Sequence, residues 1–192
     1  MGANPISDIW AEEALRLVGR YLRRAVLNPH DLEARAGMSR AATFAGLGFG
    51  NAGTHIPHAC AYPIAGLVRD YRPPGYEVGH AMVPHGSAVV STAAAAFAFT
   101  YPTAPERHLR AAELLGANLA GVTAANGADA LPAALTALVA DTGGPPAPRS
   151  SASPGETCPR SSRARSSSKG CWCAARAMSP TTTCGGSWPL HW

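Results

Sequence analysis

Apolar residues recur at helical spacing from Ser7 to Asp141, no stretch alternates with period two for long enough to make a strand, and the pattern stops at Asp141-Thr142-Gly143-Gly144. A strand that buries one face needs two-residue alternation, whereas an amphipathic helix needs apolar positions three and four apart. Residues 3–142 are therefore expected to form an all-α domain. Ser7 to Val26 reads as a helix, with Ser7 as N-cap behind Pro5 and with Trp10, Ala14, Leu17, Val18, Tyr21 and Ala25 on its apolar side. Asn28-Pro29 stops it, and the same pair is expected to start a second helix through Leu32, Ala36 and Met38 towards Phe44 and Leu47.

The third segment, Thr54 to Tyr71, contains Pro57 and Pro63 and is expected to be short or kinked. Arg72 to Val83 holds Pro73, Pro74, Gly75 and Gly79 and reads as a loop. Gly86 to Phe99 is apolar throughout, the mark of a buried helix. Pro105 to Gly116 is amphipathic, with Leu109, Ala112 and Leu115 on one side and Gly116 as terminator. Asn126 to Asp141 closes the series, with Leu131, Leu135, Leu138 and Val139 as its stripe.

Residues 143–192 follow no such grammar. They are rich in Ser, Arg, Pro, Thr and Gly and poor in aliphatic side chains, so they bury too little surface to offset ordering entropy and are expected to be a disordered tail. A shifted reading frame in a GC-rich gene would produce such a segment. The tail also carries the charge: the chain has a net charge of +4, yet residues 1–142 hold ten Arg against eleven Asp and Glu. A basic, nucleic-acid-binding surface on the helical part is thereby excluded, and the Arg/Ser run is read as solvated. Cys60 is alone in the helical part, which fits a reducing compartment. The four tail cysteines, spaced C-x12-C-x-C-x10-C, match no zinc framework. The alanine-rich runs are too short and too interrupted to span a membrane.

Two histidines stand out. His58 lies on the short third helix among small residues, and His85 lies at a loop-to-helix turn 27 positions on. His55 and Tyr62, three before and four after His58, share its helical face. Two imidazoles from separate elements suggest half of a metal site, although each alone also fits a core or turn histidine, and both readings stay open. Gly48-Phe49-Gly50-Asn51-Ala52-Gly53 spells GxGxxG, but a helical, alanine-rich stretch precedes it where a dinucleotide site needs a strand. Close helix packing explains those glycines better.

Several collinear blocks, NPISDIWAEEALRLVGRYLRRAVLNPHDLEAR, AGLGFGNAGTHIPHACAYPIAGLV, YEVGHAMVPHGSAVV and PERHLRAAELLGA, resemble the iron-containing alcohol dehydrogenases. Within that family the chain is most similar to the hydroxyacid-oxoacid transhydrogenase branch. The resemblance implies a helical C-terminal domain over residues 3–142, following an α/β domain that binds NAD. It implies a divalent iron, or zinc, held by one Asp and three His, the last two falling on His58 and His85. Asn51, Gly53 and Tyr62 are then expected to line the pocket. Tyr62 stands where many relatives carry a further histidine, so proton shuttling from that position is not carried over.

The Asp, the first His and the pyrophosphate-binding turn of the family are expected before Asn4, outside this chain. Only His55 and His80 are nearby imidazoles that could substitute. The resemblance thus implies an oxidoreductase moving hydride between a small hydroxy acid or alcohol and an oxo acid or NAD, with this chain inactive on its own. It admits a homo-oligomer, and it implies a mitochondrial matrix location in a eukaryote or a cytoplasmic one in a bacterium. The alternative is a non-catalytic helical module that associates with a full-length relative.

Overall fold

The computed structural model describes residues 2–144, and among them there are helices and turns but no strand. The first helix, α1 (Pro5–Leu27), is capped three residues before the expected cap Ser7. Asn4 Oδ1 accepts from the Ile6 and Ser7 amides, both at 3.1 Å, while Ser7 Oγ accepts from the Asn4 amide at 2.9 Å. Asn4 is thus the N-cap and Ser7 the reciprocal partner in a capping box, because Pro5 presets the helical φ of the first turn. Ser7 is buried.

The second helix, α2 (Leu32–Ala52), is capped by Asp31, whose carboxylate accepts from the Ala34 amide at 2.9 Å. Asn28 is not its cap: it ends α1 and accepts from the His30 amide in the intervening turn. Arg24 braces this corner by pairing with both Asp31 and Glu33. The buried face of α2 is Ala34, Gly37, Ala41 and Gly48, while Leu32 at its start is 77% exposed. Small residues prevail because the Tyr21 ring fills the groove above Gly37, where any Cβ would overlap it.

The remaining helices are α3 (Ile56–Leu67), α4 (His85–Thr100), α5 (Pro105–Leu114) and α6 (Ala130–Asp141), with a single 3-10 turn at Tyr101–Thr103. α3 ends four residues short of the expected Tyr71, and an irregular loop follows up to Pro84. The prolines at 73 and 74 disfavour helical backbone in the residues before them. α6 starts at Ala130 and not at Asn126, because the Asn126 carboxamide is used in a turn, accepting from the Thr123 amide at 2.6 Å. α4 is less enclosed than its apolar sequence implies: Ala88, Ala93 and Ala96 are buried, but Phe99 is 58% exposed. The expected tail lies outside the described residues apart from Gly143 and Gly144, which close the last turn of α6.

α1 and α2 form a helical hairpin, and α3 packs on α4. α1 also meets α5, which together with α4 packs on α6. One core cluster joins Leu17 and Tyr21 of α1 to Ala34 and Ala41 of α2. The other joins Ala112 and Leu115 to Leu131 and Leu138, and Val18 of α1 packs against both. The most deeply buried positions, such as Ala34, Ala96 and Ala112, are alanines. The helix axes therefore approach closely, and the two N-terminal turns that carry His58 and His85 are held side by side. No helix among the described residues is long and apolar enough to cross a membrane.

Candidate metal centre

His58 lies in the first turn of α3, whose N-cap residue His55 makes no side-chain cap bond. His85 is the first residue of α4, preceded by Pro84. The fold brings their imidazoles to a centroid separation of 5.4 Å, with the ring planes at 59°. Tyr62, one turn after His58, stands 6.5 Å from His85, and Phe49 of α2 stands 6.4 Å from His58 on the other side. His58 is half-buried, while His85 and Tyr62 are exposed. The pair is thus walled by Phe49 and Tyr62 and open to solvent.

The other expected pocket residues have different neighbours. Asn51 Oδ1 accepts from Asn4 Nδ2 at 2.8 Å, tying the end of α2 to the start of α1. Gly53 ends α2 with φ of 92°, a left-handed backbone that glycine adopts without strain, and so redirects the chain towards α3. Both stay close to the pair in sequence, but their recorded contacts are structural. The GxGxxG run occupies the last turns and cap of α2, so no strand precedes it; close packing accounts for Gly48, which lies against the α1 backbone, but not for Gly50 or Gly53, where a Cβ would meet nothing.

Neither substitute imidazole completes a ligand set. His80 is exposed in the 68–84 loop. His55 instead lies flat against Phe97 of α4, 6.1 Å away with planes 3° apart. Partial burial of its ring, and then the charge of His108, hold the His55 pKa below the ordinary 6.5. Among the described residues no three His, Cys, Asp or Glu side chains form a metal-binding group. The donor chemistry of the pair nonetheless fits a divalent iron or zinc ion, since imidazole nitrogens from two adjacent helix starts are borderline ligands suited to both.

His108 of α5 is a histidine that the motif reading passed over. Its Nδ1 is 2.8 Å from the Ala104 carbonyl oxygen and its Nε2 3.0 Å from Thr100 Oγ1. A carbonyl only accepts, so Nδ1 carries the proton there. His108 thus fastens the start of α5 to the end of α4, and its rings-and-hydroxyl environment (Phe97, Tyr101, Thr100) is structural. The sequence signal was its position in the first turn after Pro105, four residues past Ala104.

Residues 1–149 match the Fe-containing alcohol dehydrogenase family, C-terminal. The chain is 59% identical over 118 residues to the mitochondrial hydroxyacid-oxoacid transhydrogenase of Rattus norvegicus, a match covering 62% of this chain and 25% of the relative. It is 59% identical over 117 residues to the human protein of the same name, covering 61% and 25%. Among solved structures it resembles 1,3-propanediol oxidoreductase (34% identity, TM-score 0.64, 74% of this chain and 34% of that one) and the alcohol dehydrogenase from Oenococcus oeni (30%, 0.62, 74% and 34%). The chain spans about a quarter of the length of the curated relatives it matches. A helical domain with an imidazole pair at its mouth, matched over most of its length by one family's C-terminal region, settles the assignment: the chain belongs to the Fe-containing alcohol dehydrogenase family.

Proposed function

We propose that this chain is the helical, metal-holding part of an oxidoreductase that passes hydride between a small hydroxy acid and an oxo acid by way of NAD. The observation that carries the reading is the convergence of His58 and His85, beside Tyr62, in a chain so similar to the transhydrogenases. His58 and His85 would be the two residues of this chain that hold a divalent iron or zinc ion. When bound, such an ion supplies Lewis-acid polarisation of the substrate oxygen. Phe49 limits water on the His58 side, and Tyr62 lines the approach to His85. Asn51 and Gly53 shape the rim by fixing the turn from α2 into α3. The remaining ligands and the nicotinamide site come from the part of the relatives' length that this chain does not span. In a eukaryote the location would be the mitochondrial matrix; the relatives' names call them mitochondrial.

The test is a zinc or cobalt(II) titration of the full chain followed by histidine NMR. Selective shifts of the His58 and His85 ring protons, lost in both H58A and H85A, are the expected result. An isotherm unchanged by either substitution overturns the reading. The chain alone should not transfer hydride from 4-hydroxybutyrate to 2-oxoglutarate.

A second reading, a helical module that associates with a longer relative, is favoured by a separate observation. Ile6, Ile9, Leu47 and Phe49 are each about half exposed or more, an apolar display unusual for an isolated domain. Co-purification of the chain with a full-length transhydrogenase, lost in I6D/I9D, would support it; a strictly monomeric chain in that mixture would exclude it.

A further inference from the structure

The relatives are named for acid substrates, whereas the solved neighbours are named for an alcohol and a diol. An acid substrate differs by a carboxylate, and a site that selects it needs a cation able to form charge-assisted hydrogen bonds. The described residues contain no lysine, so a permanently charged side chain that this part of the protein could offer is an arginine. Of the ten arginines there, the four of α1 and the two of α5 are already held in ion pairs. Arg35 and Arg40 lie on α2 at least twelve residues before its end, roughly 18 Å of helix from the turn into α3. That leaves Arg69 and Arg72, in the loop that joins the helix of His58 to the helix of His85.

These two differ in how they are held. Arg69 reaches only the carbonyl of its own neighbour Val68, at 3.5 Å. Arg72 donates from one terminal nitrogen to the Val78 carbonyl at 2.9 Å, and the adjacent Tyr71 carbonyl accepts from the Met82 amide at 2.9 Å. The second bond ties the Arg72 backbone to a point three residues before His85, no more than about 10 Å of chain. The guanidinium has five N–H donors and spends one on Val78, which leaves a fork for a carboxylate. Neither Asp70 nor Glu77, the carboxylates of the same loop, forms an ion pair with it.

We propose that Arg72 reads the carboxylate of the hydroxy acid, setting this site's preference for acids over uncharged alcohols. The inference rests on the preceding reading, in which His58 and His85 face the reacting oxygen. On this proposal one end of the substrate meets the imidazole pair and the other the guanidinium.

The test is NMR titration of the labelled full chain with 4-hydroxybutyrate and, separately, with 1,4-butanediol, which has the same carbon chain without the charge. The acid should shift the amides of residues 69–82 and the His85 ring, and the diol should leave the loop unmoved. R72Q should weaken the acid titration about tenfold, R72K should restore part of it, and R69Q and R40Q should change it little. Equal responses to acid and diol, no response to the acid, or an R72Q chain that binds the acid like the wild type would each overturn the proposal. Zinc titration of the same samples reports on His58 and His85 alone. Loss of zinc shifts therefore sinks the metal reading, while intact zinc shifts without acid selectivity sink only the role of Arg72.

Discussion

His55 lies flat on Phe97, 6.1 Å between ring centroids, so the residue that caps α3 is packed on the far half of α4 while His58, three positions on, meets His85 at its start. The two contacts orient α3 along α4. The His55 contact also has a pH consequence. Its pKa is lower folded than unfolded, through burial first and His108 second. Between the folded value and 6.5 the unfolded chain holds more protons, so stability falls as pH drops through that window and is unaffected above it. The urea midpoint of the wild type should therefore fall between about pH 7.5 and about pH 5.5, and that of H55N should fall less. Parallel losses in the two chains would contradict the assignment to His55.

Asn4 does two jobs at the start of α1, capping the helix and holding Asn51. N4A should cost about 1 kcal/mol in urea unfolding, and N4S should recover most of it because serine also caps. N51A should cost less than N4A, since it removes only the exposed link.

Two glycines on one helix should respond with opposite sign. A Cβ at Gly37 overlaps the Tyr21 ring, so G37A should destabilise by about 1–3 kcal/mol. A Cβ at Gly50 meets nothing, so G50A should stabilise by up to about 1 kcal/mol through helix propensity. Gly50 is also the second glycine of the GxGxxG run, so a stable G50A chain would show that close helix packing does not account for the glycine at that position.

Tyr101 is buried and donates its hydroxyl hydrogen to the Ala124 carbonyl at 2.8 Å, pinning the 115–129 turns to the end of α4. Y101F should cost about 1 kcal/mol, and Y101A about 3–5 kcal/mol, because the ring is lost as well. Thermal melts of both variants check the ratio; equal losses would mean that the hydroxyl dominates.

The helical periodicity made the six α-helices of the described residues legible, and the small-residue setting of His58 and the helix-start setting of His85 made the pair legible too. The errors fall where two groups compete for one role. Ser7 and Asn4 are both good caps, and only the geometry imposed by Pro5 decides between them. Asn28 and Asp31 are likewise both competent, and Arg24 holds Asp31 in place. Apolar character alone did not settle which side of α2 faces inward: Leu32 is exposed, while Gly37 packs under the Tyr21 ring. The partners of His55 and Asn51 were illegible because the contacts that engage them span 42 and 47 residues and leave no local pattern.

The alanine core carries one last consequence. α3 turns Cys60 and Ala61 inward, and α4 buries Ala88 and Ala93, so little side-chain bulk separates the two helices. Long, flexible side chains can slide past one another; short ones cannot, and the backbone spacing they set is nearly invariant. The gap between the two imidazoles is consequently fixed by small side chains about a turn away. A single Ala→Val exchange at Ala61 or Ala88 would retune it without touching either histidine.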